Sequence, residues 1–248
     1  MSARKKNILS AVVASMVVIG SLPARASIFD DPSNLRILAE DISAAELRTT
    51  MRSFAEGTGS RCSACHVGKI EADLSSYDFA LDEKEKKLKA REMIKLVRNI
   101  NEQIATAFAD TGQPLVEVTC ATCHRGQEKP EMIEDILQRS VESDGLDAAI
   151  AQYRDLRERY HGSYTFDFSE RVLMRLAEFY GVNGDYDAAL GFIDLNLEFF
   201  PRSSRTYVLR AQVLAETDDI AGARRDYERA LELEPESAWI KQQLAELD

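Results

Sequence analysis

Cys120-Ala121-Thr122-Cys123-His124 repeats the pattern of an earlier stretch, Cys62-Ser63-Ala64-Cys65-His66. Each reads C-x-x-C-H. At this spacing, two thiols can each form a thioether to one of the two vinyl groups on a porphyrin edge. The next residue then places an imidazole under the iron as proximal ligand. The two motifs use all four cysteines of the chain, leaving none for a disulfide. The pattern predicts two covalently attached c-type haems, held by Cys62, Cys65, Cys120 and Cys123, with His66 and His124 on the two irons.

Other uses of paired cysteines fit less well. A redox dithiol belongs in a thioredoxin-like βαβ context, which is absent from the pattern. A zinc ribbon brings its two pairs within about 15–20 residues of each other, whereas a long helical pattern separates Cys65 from Cys120. The chain has three histidines, and two of them directly follow a cysteine pair.

The first residues read as an export signal. Arg4, Lys5 and Lys6 form a basic start, Ile8 to Ile19 a short apolar run, and Ala24-Arg25-Ala26 a small-residue cleavage site. The predicted mature chain, residues 27–248, starts at Ser27 and is periplasmic; an uncleaved signal acting as membrane anchor is the alternative. The apolar run is shorter than the ~20 residues of a spanning helix. Export agrees with the motif, because c-type haem is attached outside the bacterial cytoplasm.

Without Arg4, Lys5, Lys6 and Arg25, the chain has 27 basic residues against 42 acidic ones. That excess of negative charge argues against nucleic acid, whose phosphates require a basic footprint. It permits electrostatic steering towards a basic redox partner protein.

Between Ile28 and Asn34 the chain reads as a loop. A capping box, Ser43-Ala44-Ala45-Glu46, opens a helix carrying Leu47, Met51 and Phe54, which Gly57 and Gly59 end. Asp82-Glu83-Lys84-Glu85 has the same capping spacing. It opens a longer helix bearing Leu88, Met93, Leu96, Val97, Ile100, Ile104 and Phe108, stopped at Asp110-Thr111-Gly112 and by Gln113-Pro114. An electron-transfer haem needs a sixth ligand. Of Met51, Met93, Met132 and Met174, only Met51 and Met93 lie on helices directly preceding a haem motif. A methionine on an apolar helix face also serves as core packing, but here no other donors are on offer. Thioether ligation opposite histidine raises the reduction potential.

The run from about Asn34 to Pro130 resembles the haem-binding cytochrome subunit of photosynthetic reaction centres. The resemblance rests on Asn34-Leu35-Arg36-Ile37-Leu38, Met51-Arg52-Ser53-Phe54, Ala90-Arg91-Glu92-Met93, Ile100-Asn101, both C-x-x-C-H motifs, Arg125-Gly126 and Pro130. It implies a repeating unit of methionine-bearing helix, turn and haem motif, with Met51 and Met93 axial opposite His66 and His124. Where that subunit has four units, this chain has two. It also lacks the subunit's lipid-anchoring cysteine and has a longer spacer between Met93 and Cys120. These departures count against a photosynthetic role and point to half of such a relay recruited to another electron chain.

After Pro130 a repeat begins. Asp144 to Ile150, Gly184 to Leu190 and Asp218 to Arg224 align. Ala189 to Ala223 and Pro201 to Pro235 are each separated by 34 residues, the tetratricopeptide period. The first interval, Ala149 to Ala189, is 40 residues, with the excess in His161 to Phe166 ahead of a helix start at Asp167-Phe168-Ser169-Glu170. Tyr153, Tyr180 and Tyr227 fill aromatic positions. Ser237 to Leu247 reads as a capping helix, with Trp239 covering the core. His161 reads as a surface turn residue.

The predicted fold is therefore all-α: signal 1–26, a di-haem cytochrome domain over 27–130, and over 131–248 a solenoid of three repeats and a cap. The predicted function is electron transfer between redox partners, among them a membrane-bound complex, with a protein or peptide docked on the repeats. Arg125 and Lys129 are candidates to pair with haem propionates. The alternatives are a di-haem peroxidase, which needs an open sixth position at one iron, and a haem-bearing scaffold or assembly factor.

Overall fold

Ser43 starts the first helix as the capping box requires: its hydroxyl accepts from the Glu46 N–H at 3.3 Å, and Glu46 accepts in return from the Ser43 N–H at 3.1 Å. The computed structural model describes residues 27–69, 73–112 and 114–247; the export signal expected over 1–26 lies outside them. Among the described residues, the α-helices before Pro130 are α1 (Ala44–Thr58), α2 (Cys62–Cys65), α3 (Glu85–Ala107) and α4 (Cys120–His124). Among the described residues the only β pairing is an isolated bridge between Val67 and Asp78. The chain is all-α.

The start of α3 differs from the sequence expectation. Lys84, not Asp82, occupies the N-cap, and no side chain caps it. Asp82 is instead used by residues further along α3, pairing with Lys87 at 3.0 Å and Arg91 at 2.8 Å. Those two cations stand four residues apart, so they share one helix face. The expected apolar face of α3 is only partly covered: Leu88, Met93, Leu96 and Phe108 are all exposed.

From Ile133 the chain forms six helices in three pairs and a final single helix: α5 (Ile133–Asp144), α6 (Leu146–Tyr160), α7 (Glu170–Val182), α8 (Tyr186–Phe199), α9 (Ser204–Glu216), α10 (Ile220–Leu233) and α11 (Ala238–Glu246). Pro201 and Pro235 directly follow the caps of α8 and α10, where a missing N–H cannot continue a helix. α5, α7 and α9 touch in one layer, and α6 and α8 in the other. Between them lies the main core, with Leu137, Tyr153, Leu173, Phe192 and Ile193 at 0 % exposure. Each such side chain contributes about 1.5–3 kcal/mol relative to its exposed state. The long connection after α6 adds to that core by burying Phe166 and Phe168. Arg157 from α6 stacks on Phe199 at 4.4 Å and donates to the Phe168 carbonyl at 3.0 Å.

In α11 the buried residue is Ile240, at 3 %, and Trp239 is 47 % exposed. Neighbouring residues on a helix point about 100° apart, so only one of the two can face α10.

Candidate haem-binding sites

A cavity of about 550 Å³ lies between the 27–38 segment, α1, α2 and the start of α3. Met51, Cys62, Cys65 and His66 all line it, so three of the four groups come from one short run and the fourth from the helix before it. The remaining walls are mainly apolar and include Phe29, Leu35, Phe54, Leu74, Phe79 and Ile94. A volume of this order suits a cofactor-sized, largely apolar group.

The His66 imidazole is held by aromatic packing. Its ring meets Phe79 edge-on at 5.0 Å, and Phe79 stacks on Tyr77 at 5.7 Å. The Tyr77 ring in turn lies on Gly68, where an added Cβ would come within 2.4 Å of it. Burial, with Lys87 nearby, pushes the His66 pKa down, which keeps the ring neutral and its lone pair available to a metal. Its Nδ1 is buried with no hydrogen-bond partner. The donor set, the apolar walls and the neutral imidazole fit a haem bound through Cys62 and Cys65.

The second motif is built differently. Asn101 of α3 clamps the chain just before it: its amide donates to the Val118 carbonyl at 2.9 Å and its carbonyl accepts from the Val118 N–H at 2.8 Å. Thr119 then caps α4, its N–H donating to the Thr122 hydroxyl at 2.9 Å. After His124, Arg125 adopts the left-handed conformation at φ 50°, a cost of about 1–2 kcal/mol for a residue other than glycine. The turn carries Gln127 back over the helix end, so that its carbonyl accepts from His124 Nδ1 at 2.8 Å. With Nδ1 carrying the proton, Nε2 is the free donor, the arrangement that orients a proximal ligand. On α3, Leu88, Met93 and Leu96 are exposed. These residues fit a second haem bound through Cys120 and Cys123.

Cys120, Cys123, His124 and Met93 do not line the first cavity; Met93 stands on α3 at 42 % exposure. Cys62 and Cys123 are exposed and Cys65 and Cys120 half-buried, with burial raising the thiol pKa of the latter two. Lys129 pairs with Glu131. His161 is an exposed residue ending α6.

The sequence pattern did not single out Lys87 and Arg91, or the aromatic pair Tyr77 and Phe79. The signal for the aromatics was present as a Tyr-x-Phe spacing shortly after His66. The two cations stand one helical turn apart on α3, facing the cavity.

An all-helical chain with two haem-attachment motifs, one of them opening on an apolar cavity that also holds a thioether, defines a c-type cytochrome. A family model described as the photosynthetic reaction centre cytochrome C subunit matches residues 12–180, and the chain belongs to that family. The match continues past Pro130 through α5 and α6 into α7. Membership implies c-type haem and a role in electron transfer. Among solved structures, the first TPR of Spaghetti (RPAP3) bound to HSP90 peptide SRMEEVD is similar at 18 % identity and a TM-score of 0.33, over 46 % of this chain and 86 % of that one. Among the described residues no helix is long and apolar enough to cross a membrane.

Proposed function

We propose that the chain is an exported di-haem cytochrome c that passes electrons between redox proteins. In this reading Cys62 and Cys65 would attach one haem, and His66 and Met51 would hold its iron. Cys120 and Cys123 hold the other, with His124 and Met93. Each haem would supply one-electron exchange between ferrous and ferric iron. The chain's own residues orient and enclose: Gln127 fixes the His124 tautomer, Phe79 and Tyr77 hold His66, and the 27–38 segment walls the first site. A histidine and a methionine held to each iron would leave no place on it for a substrate. The repeats from α5 onward serve as a docking surface for a protein partner, and the acidic mature chain favours a basic one.

The observation that carries the proposal is the convergence of Met51, Cys62, Cys65 and His66 on one apolar cavity. The test is haem stoichiometry of the matured protein by the pyridine haemochrome method. Two haems per chain are expected, falling to one in Cys62→Ser/Cys65→Ser and to one in Cys120→Ser/Cys123→Ser. A wild-type value of one, or no loss in either variant, overturns it.

One observation favours a second reading for the second site. Met93 is 42 % exposed, so a ligand from it is the more accessible to displacement, and peroxidase chemistry needs an open sixth position. Rapid turnover of hydrogen peroxide with a reduced donor selects that reading over the carrier.

A further inference from the structure

Resting on the two-haem reading above, we infer that Gly57, clasped to the turn at Gly126, is a positioning residue that holds the two haems as an electronically coupled pair. α1 walls the first cavity through Met51, Ala55 and Thr58. Gly57 is buried in the same turn of that helix and meets α4. A Cβ added at Gly57 would lie 2.9 Å from the Cβ of Cys120 and 3.0 Å from the Ala121 nitrogen. Carbon atoms in contact prefer about 3.5–4.0 Å, so no other residue fits without moving one helix. The cysteine that anchors the second haem therefore rests on the bare backbone of the helix that walls the first.

Two further contacts fix the register. The Gly126 N–H donates to the Gly57 carbonyl at 2.9 Å. Gly59, left-handed at φ 64°, lies so close to the Gly126 carbonyl that an added Cβ would be 2.0 Å from its oxygen. The end of α1 is thus joined to the start of α4 at Cys120 and to the turn after it at Gly126, through two glycines whose places admit no side chain. The Cys120 side chain packs on Gly57, whose helix neighbours Ala55 and Thr58 line the first cavity.

The test uses the full-length, haem-loaded protein and reads circular dichroism in the Soret region, where two coupled haems give a bisignate couplet. A redox titration accompanies it. Wild type is expected to show the couplet. Gly57→Ala, and Gly59→Ala as a second lesion of the same joint, are expected to lose it while both haems are retained. Gly181→Ala in α7, where an added Cβ meets nothing nearer than 3.8 Å, is the control and keeps it. A purely structural role would lower the melting temperature and leave the couplet intact. A two-haem wild type with no couplet, or a two-haem Gly57→Ala protein with the full couplet, overturns the inference. A wild type with one haem fails at the earlier reading instead, so the two failures are told apart by the haem count.

Discussion

Arg91 reaches the Asp82 carboxylate at 2.8 Å while its other terminal nitrogen donates to the Asn34 carbonyl at 3.1 Å. One guanidinium thus ties α3 both to the loop before it and to the N-terminal segment that walls the first cavity. Asn34 completes the knot, its amide donating to Asp82 at 3.0 Å. The Arg91 hydrogen bond, followed by those of Lys87 and Asn34, holds the Asp82 carboxyl well below its ordinary value of 3.8.

That depression has a defined pH signature. A carboxyl with a lowered folded pKa lends stability that is complete above its ordinary value and fades as pH falls through the folded one. Asp82→Asn is expected to melt at a lower temperature than wild type at pH 7. The gap should stay constant down to about pH 4 and close only below it. Thermal melts at pH 7, 5 and 2 check this; an equal gap at pH 7 and pH 2 would refute it.

The two methionines are expected to act on different irons. Met51→Ala should remove part of the methionine-to-iron charge-transfer absorption, Met93→Ala the rest, and the double variant all of it. Spectra of the oxidised proteins decide the matter. If either single variant leaves the band unchanged, that methionine is not a ligand.

Asn101 makes two hydrogen bonds to the Val118 backbone, one to its carbonyl and one from its N–H. Asn101→Ala leaves a half-buried N–H and carbonyl unpaired, at a cost of about 1–3 kcal/mol. Denaturant unfolding measures the loss, and a change smaller than experimental error would show that the clamp does not stabilise the chain. Haem counting should show the deficit at Cys120 and Cys123 rather than at Cys62 and Cys65.

Phe192 is fully buried and stacks on Tyr180 at 5.6 Å. Phe192→Ala is expected to cost about 3–5 kcal/mol in the unfolding of the helical repeats. The haem absorption spectrum of the folded variant should match wild type. A changed haem spectrum would mean that the repeat core and the haem sites are one cooperative structure.

Local signals were the legible ones. The Ser43 and Glu46 pair, the glycine ending α1 and the prolines after α8 and α10 each act within a turn of where they stand, so pattern alone located these helices. Met51 and the first haem motif were legible for the same reason, being near neighbours in sequence. What the pattern missed depends on partners far along the chain. Asp82 has the spacing of a cap and yet spends its charge on Lys87 and Arg91. The stretch read as a loop from Ile28 to Asn34 carries Phe29 into a cavity wall, with Arg91 of α3 holding the Asn34 carbonyl. Trp239 and Ile240 are adjacent and equally apolar, and only the position of α10 decides which is covered.

The joint between α1 and α4 also changes how the spacer from Phe108 to Thr119 is to be understood. Since Cys120 is placed by its contact with Gly57, and Val118 by Asn101, the residues between are under little demand to span a particular distance. Closing a loop costs only about 0.6 kcal/mol more for each doubling of its length. The spacer is thus a place where evolution can add or delete residues almost freely. The turn around Gly57 is not, because any side chain there displaces a cysteine sixty-three positions downstream.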